Sequence, residues 1–190
     1  MKLKNLISEK QLTYLWKGKY GSIAHLPKYP YEAFHEPDTV MIFPIKQNGE
    51  IGIRKELCPA YLIKDTNEED RLFYTVITGK VENNENLLHT AYRELREETG
   101  IKIKDAKILF EKKQIPVCKS MSMRNTLFIL FLKEYETESP TGDGSVYEEK
   151  SESIWVTINE LKQIINDNDN IDHLLLLCYY LLKDLDLFKK

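Results

Sequence analysis

The sequence predicts an α/β domain in which helices cover both faces of a mixed β-sheet. Short runs of apolar and β-branched residues, typical of buried strands, alternate along the chain with segments of helical periodicity. The length of 190 residues fits one such domain with a small appendage. Hydrophobic residues make up 42% of the chain, which is enough for a core and too much for a disordered protein.

The N-terminal segment predicts a β-hairpin appendage. Residues 12–26 contain two strand-like runs separated by a glycine-containing turn. Three prolines then punctuate an extended segment. We therefore assign residues 1–38 to an N-terminal β appendage that serves in dimerisation, and residues 39–190 to the main domain.

The main domain contains six predicted strands, each a short run of apolar, aromatic or β-branched residues. The sequence Asn48-Gly49 marks a hairpin turn between the first two strands. The polar residues 134–153 predict a long exposed loop. The strands are predicted at Val40–Ile45, Ile51–Ile53, Leu72–Ile77, Ala106–Phe110, Thr126–Leu132 and Ile154–Ile158.

Three segments predict helices. The first covers Glu85–Thr99, and Gly100 follows it as a typical C-terminal cap. The second is expected from Glu160 to Ile165 with Asn159 as its N-cap, and the third from Asp172, its cap, to about Phe188.

Charge and cysteine content exclude several classes of protein. The net charge of −3 gives no global basic field, so a nucleic-acid polymer is not favoured as a partner. Three widely spaced cysteines argue against a disulfide framework or a structural zinc site. The longest apolar run, Leu174–Leu182, is too short for a membrane-spanning helix. Without a recognisable signal peptide in the N-terminal residues, we expect a cytoplasmic protein.

The first predicted helix places carboxylates where a helix is usually apolar. At about 100° per residue, Leu88, Ala91 and Leu95 share one face. Glu98 falls within this apolar arc, and Glu94 lies at its edge. Buried carboxylates that also repel one another need a counter-charge, and a hard divalent cation such as Mg²⁺ or Mn²⁺ supplies it. The alternative is an exposed helix with ion pairs such as Arg93 with Glu97.

The full spacing favours the metal site, because it resembles a known motif at every fixed position. Gly79, Glu85, Arg93-Glu94-Leu95, Glu97-Glu98 and Gly100-Ile101 follow the pattern G-x5-E-x7-R-E-U-x-E-E-x-G-U. This is the Nudix box, and the chain resembles the Nudix hydrolases.

The resemblance implies a Nudix-type α/β/α sandwich and a centre that holds Mg²⁺, with Mn²⁺ as a possible substitute. It implies that Glu85 and Arg93 orient the site and that Glu97 also acts in catalysis. The implied metal ligands are three glutamates and one backbone carbonyl: Glu94, Glu97, Glu98, and Thr78 or Gly79. Such enzymes hydrolyse a nucleoside diphosphate linked to another group by attack of water on phosphorus.

Further features resemble the branch that cleaves ADP-ribose and nucleotide sugars. Residues 31–45 resemble its N-terminal region, which two subunits often exchange, and this implies a homodimer. Residues 53–61 occupy the place of a substrate-contacting stretch, although Leu57 stands where an arginine is usual. Pro116 occupies the place of a subfamily marker. Candidate substrate-binding residues are Arg54, Glu56 and Phe34, with Trp16 and Tyr20 as further candidates for stacking on adenine.

A loop glutamate acts as the general base in this branch. By its distance from Trp155, Glu149 is the first candidate and Glu148 the second. The expected function is Mg²⁺-dependent hydrolysis of ADP-ribose or a related nucleoside diphosphate sugar to a nucleoside monophosphate and a sugar phosphate. Two alternatives are a nucleotide or RNA 5′-end pyrophosphohydrolase and a Nudix ligand-sensing module without turnover.

Overall fold

The computed structural model describes residues 13–19, 21–26, 31–57, 72–118, 120–142 and 151–185. These residues form two sheets and three helices. The smaller sheet has three strands in the order β1-β2-β3. The larger has seven, in the order β10-β5-β4-β9-β8, with β6 beside β5 and β7 beside β4.

The N-terminal sheet is an antiparallel meander. Its strands are β1 (Thr13–Lys17), β2 (Ser22–Leu26) and β3 (Tyr31–His35). The predicted hairpin corresponds to β1 and β2, but the segment predicted only as extended adds a third strand. The cause is tertiary, because β3 hydrogen-bonds to β2 on one side and to the backbone of Ser120 and Ser122 on the other.

The seven-stranded sheet is mixed. Strand β4 pairs in parallel with β9 over seven consecutive residues, while its other neighbours are antiparallel. Strand β4 is covered on both faces, which explains its continuous apolar sequence. The strands are β4 (Thr39–Ile45), β5 (Ile51–Leu57), β6 (Leu72–Thr75), β7 (Ile77–Lys80), β8 (Ile101–Pro116), β9 (Arg124–Thr137) and β10 (Glu152–Val156).

Three strand predictions were wrong in extent. The run predicted as one strand over Leu72–Ile77 changes partner at Val76, so its first part pairs with β5 and its second with β4. Strands β8 and β9 extend well beyond their predicted bounds as a long antiparallel ribbon. Charged cross-strand pairs such as Lys104 with Glu136 line this exposed extension, where no apolar pattern marks it.

Helix α1 (Leu87–Thr99) begins two residues later than predicted. Asn86 is the N-cap, and its side-chain oxygen accepts from the amide of Leu88 at 2.9 Å. Gly100 ends the helix as predicted, with φ 72° in the left-handed region.

The other helices, α2 (Ile158–Asp167) and α3 (His173–Asp184), lie together on the opposite side of the sheet. The predicted cap Asn159 was wrong, because Thr157 caps α2 in a reciprocal capping box with Glu160. The predicted cap of α3, Asp172, is confirmed. No helix in the described part of the chain is long and apolar enough to cross a membrane.

The core has two halves, one on each face of the sheet. On one face, Ala91 and Leu95 of α1 pack against Val40, Ile42 and Leu130. On the other, α2 and α3 bury residues including Leu161 and Leu175 against β4, β5 and β9. This arrangement confirms the predicted α/β/α layering of a mixed sheet.

Two leucines of α3 give a matched test of this packing. Leu175 is completely buried, whereas Leu177 is 41% exposed. We expect Leu175→Ala to lower the free energy of unfolding by about 3 kcal/mol, because it leaves a cavity in the core. Leu177→Ala should change it by less than about 1 kcal/mol. Urea denaturation followed by circular dichroism measures both, and equal losses would contradict the assignment of the core.

Candidate active site

The last two turns of α1 lie beside β7 and the loop that follows it. Together they line a cleft of about 870 Å³. The cleft is walled by residues of the box and by the 80–83 turn. The lining includes Thr78, Gly79, Arg93, Glu94, Glu97 and Glu98, which are all among the site residues predicted from the sequence.

Gly79 is needed because Glu94 packs directly against the backbone of β7. A Cβ atom at position 79 would overlap the Glu94 carboxylate. Glu94 is only 9% exposed in this position. Burial raises its pKa to about 7, although the neighbouring Arg93 opposes this shift. The first position of the box is therefore a glycine because a larger residue would occupy the space of the Glu94 carboxylate.

Arg93 connects three glutamates of the box. Its Nε and Nη2 donate to the two carboxylate oxygens of Glu85, both at 3.0 Å, as a bidentate pair. Its Nη1 donates to Glu94 at 2.8 Å and to Glu97 at 2.9 Å. Its Nη2 also reaches the backbone carbonyl of Lys80 at 3.0 Å. The hydrogen bonds from Arg93 lower the pKa of Glu85 to about 2.

A second arginine approaches from β5. Arg54 is 6% exposed, and its Nη2 lies 2.6 Å from a carboxylate oxygen of Glu98. Its Nε lies 3.7 Å from Glu56, and its Nη1 donates to the Ser153 hydroxyl at 3.2 Å. That hydroxyl donates to the backbone carbonyl of Glu98 at 2.8 Å. Arg54 and Ser153 thus fix both the side chain and the backbone of Glu98.

Glu56 adds another carboxylate to this group. Burial raises its pKa to about 7, and the charges of Glu98 and Asp172 add to the rise while Arg54 opposes it. Arg54 and Glu56, predicted as substrate-binding residues, therefore lie against the glutamates of the box.

The donor set fits a hard divalent cation. In the described part of the chain, two guanidinium groups contact five carboxylates, those of Glu56, Glu85, Glu94, Glu97 and Glu98. Oxygen ligands of this kind suit Mg²⁺ or Mn²⁺. Across the described residues, no three acidic, histidine or cysteine side chains already surround a common point as a metal site. The arginines stand between the glutamates, so a cation would take over contacts that they now make.

The remaining predicted residues lie elsewhere or outside the described residues. Phe34 is in β3, half-buried, where its backbone bonds to the 120–122 segment. Trp16 is exposed on β1. The candidate bases Glu148 and Glu149, and also Tyr20, fall outside the residues that the structure describes. Sequence reasoning missed Ser153, because only the pairing of β10 with β5 brings it opposite Arg54.

Comparison with known proteins agrees with this geometry. The NUDIX domain family matches residues 35–177, which is most of the chain and includes the whole box. The chain belongs to the Nudix family. This Nudix protein is 34% identical over 114 residues to the NAD-capped RNA hydrolase NudC of Photobacterium profundum. The aligned part is 60% of this chain, but it spans only 38% of the length of that relative.

A solved structure supports the Nudix fold over nearly the whole chain. The crystal structure of an ADP compounds hydrolase superposes with a TM-score of 0.60 and covers 95% of this chain and 96% of its own. Its sequence identity of 17% makes this a likeness of fold. These comparisons confirm the family resemblance and the fold class, and they support the expectation of a hydrolase.

Arg93 and Arg96 test the role of the buried charge network. Arg93→Gln should lower the free energy of unfolding by about 2 kcal/mol, because it leaves Glu85 and Glu94 without their shared cation. Arg96→Gln is the control, since Arg96 is exposed on the same helix and pairs with Glu138 at the surface. Arg96→Gln should lower the free energy of unfolding far less than Arg93→Gln, because ion pairs at the surface contribute little.

Thermal and urea denaturation of metal-free protein would measure both effects. Added Mn²⁺ should restore part of the stability of Arg93→Gln, since a cation can replace the lost charge. Equal losses in the two variants, or no response to Mn²⁺, would contradict this account of the cluster.

Proposed function

We propose that this chain hydrolyses the pyrophosphate bond of ADP-ribose or a related nucleoside diphosphate sugar, with Mg²⁺ as its cofactor. The products are a nucleoside monophosphate and a sugar phosphate. The observation that carries the proposal is the convergence of Arg93 and three glutamates of the box in one cleft, namely Glu94, Glu97 and Glu98. Its volume of about 870 Å³ suits a ligand of this size.

The residues that would hold Mg²⁺ are Glu94, Glu97 and Glu98, with the backbone carbonyl of Thr78 or Gly79. An ion held by these residues would supply charge neutralisation for the diphosphate and a lower pKa for a water molecule bound to it. Mn²⁺ meets the same requirement for oxygen ligands and is the expected substitute.

The chain's own residues prepare the site for this reaction. Arg93 orients Glu94 and Glu97, and Glu85 holds Arg93 through two parallel hydrogen bonds. Arg54 orients Glu98. Arg54 and Glu56 also keep their proposed role toward the substrate, because they adjoin the same glutamates. The assignment of Glu149 or Glu148 as the base that activates water stays a prediction, and so does the contact of Phe34 with the substrate.

One observation favours a second candidate function. The relative from Photobacterium profundum is named as a hydrolase of NAD-capped RNA, and such a cap is a pyrophosphate at an RNA 5′ end. A nucleotide or RNA 5′-end pyrophosphohydrolase is therefore the alternative. The intact box argues against a sensing module without turnover, because each of its charged positions has a partner in the site.

We also propose that the protein acts as a cytoplasmic homodimer. The N-terminal sheet carries large exposed hydrophobic residues, including Leu15, Trp16 and Tyr31. Exposed apolar groups concentrated on one small sheet are typical of an interface between protein subunits. The exposed thiol of Cys118 suits a reducing compartment.

Glu98→Gln tests the catalytic proposal. We expect it to remain folded and to lose at least about 100-fold in kcat, because a neutral amide is a much weaker ligand for a divalent cation. Removal of metal with EDTA should abolish activity in the wild type, and added Mg²⁺ or Mn²⁺ should restore it.

The assay should compare ADP-ribose, nucleoside diphosphate sugars, NADH, dinucleoside polyphosphates, deoxynucleoside triphosphates and 5′-triphosphate RNA. Cleavage of only the last two would favour the alternative function. Full activity of Glu98→Gln would refute the metal assignment. Glu138→Gln is a suitable control, because Glu138 pairs with Arg96 at the surface and does not line the cleft.

Trp16→Glu tests the dimer. A charge on this exposed edge strand of the N-terminal sheet should convert a dimer to a monomer, because an unpaired carboxylate cannot be buried in an interface without a large cost in free energy. Lys107→Glu, on β8, is a control in the larger sheet. Sedimentation velocity measures the mass, and a monomeric wild type would remove the homodimer proposal.

A further inference from the structure

A second cavity adjoins the candidate active site. It has a volume of about 290 Å³ and lies between the N-terminal sheet and the end of β7. Pro37 and Lys80 line both this cavity and the larger cleft, so the two spaces are neighbours. We call the smaller space the basic lobe, since its lining includes Lys17, Lys19 and Lys80 together with His35.

The turn between β1 and β2 builds one wall of the basic lobe. The amide of Gly18 donates to the carbonyl of Gly21 at 2.8 Å, and this tight turn places Lys17 and Lys19 at the cavity. The ammonium group of Lys17 lies 4.0 Å from the centre of the Tyr14 ring, which also lines the cavity. This cation–π contact orients the Lys17 side chain.

The sign of the charge changes at the boundary between the two spaces. The larger cleft is lined by Glu82, Glu94, Glu97 and Glu98, whereas the lining of the basic lobe contains no acidic residue among those that the structure describes. Within the described part of the chain, neither Lys17 nor Lys80 forms an ion pair with a carboxylate. A positive cavity on a chain of net charge −3 is therefore a local feature with its own electrostatic preference.

We propose that the basic lobe binds a phosphate ester on the nucleoside ribose of the substrate, separate from the diphosphate that is cleaved. This rests on the proposed function, which places the diphosphate in the larger cleft. A ligand extending from that cleft past Lys80 would bring its ribose toward Lys17. Lysine ammonium groups bind phosphate as point charges, and a dianionic phosphate gains more from the two groups of Lys17 and Lys80 than a neutral hydroxyl does.

Two kinds of molecule carry such a group. One is a nucleotide with a phosphate monoester on its ribose, and the other is a short RNA whose first ribose continues into a phosphodiester. Both molecules present phosphate oxygens next to the nucleoside, so the basic lobe would recognise the same chemical group in each.

Equilibrium binding of product-like nucleotides tests the proposal without any turnover. Isothermal titration calorimetry at low salt would compare AMP, adenosine 2′,5′-bisphosphate and the dinucleotide pApA. We expect the wild type to bind at least one phosphate-extended probe about tenfold more tightly than AMP. Preference for the bisphosphate would assign the lobe to a small nucleotide, and preference for pApA would assign it to an RNA end.

Substitutions of the lysines test whether the basic lobe causes the preference for the phosphate-extended probes. Lys17→Gln and Lys80→Gln should each reduce the preference for the phosphate-extended probe over AMP to below about threefold. Lys17→Arg should retain this preference, because arginine keeps the positive charge. Lys107→Gln is the charge-matched control, because Lys107 is exposed on β8 and lines neither cavity.

Equal affinity of the wild type for AMP and both extended probes would overturn the proposal, as would a ratio that survives both glutamine variants. The hydrolysis assay is separate. Preference for the phosphate-extended probe without hydrolysis of any substrate would refute the proposed function but support the phosphate site in the basic lobe. Hydrolysis without that preference would refute only the phosphate site.

Discussion

The burial of the Glu94 carboxylate against the backbone of β7 is the constraint on which the site depends. It requires a residue without a side chain at position 79, and it requires a positive charge within hydrogen-bonding distance. Arg93 supplies that charge, and the bidentate pair with Glu85 in turn holds Arg93. Four positions of the box are thus linked by sterics and electrostatics, so that a change at one leaves another unsatisfied.

A similar relation holds at the end of α1. Glu98 meets Arg54 of β5 and, through its carbonyl, Ser153 of β10. Because β10 and β5 are neighbours in the sheet, one edge of the sheet positions one end of the helix. Regular elements rather than flexible connections therefore hold the carboxylates, which is the arrangement that a metal site needs for a fixed geometry.

Most features that depend on neighbouring residues, such as helix positions and caps, were predicted from the sequence. The spacing of the box placed Glu94, Glu97 and Glu98 correctly on α1, although Glu94, predicted at the edge of the apolar face, is more buried than Glu98. Asp172 and Gly100 were predicted as caps because capping chemistry is local. Thr157 was missed because its reciprocal bond with Glu160 outweighed the plausible cap two residues later. The break at Val76 was missed because both parts of that run are apolar, and only the choice of partner strand separates them.

Contacts between distant parts of the chain could not be predicted. Arg54 was proposed for substrate binding from its place in a motif-like stretch, and nothing in that stretch shows that it would lie against Glu98. The basic lobe brings together Lys17 of the appendage and Lys80 of the box. In both cases the outcome depends on the packing of whole elements, whereas periodicity and composition report only on near neighbours.

The parallel pairing of β4 with β9 also affects how the molecule is assembled in time. Thr39 and Asn125 hydrogen-bond across 86 residues of chain, and the whole of α1 lies within that interval. Closing so long a loop costs entropy before any packing compensates, so such contacts form late and slow the folding reaction. A chain still emerging from the ribosome can form the α1 helix early, but the sheet that α1 packs against is completed only when β9 has been synthesised.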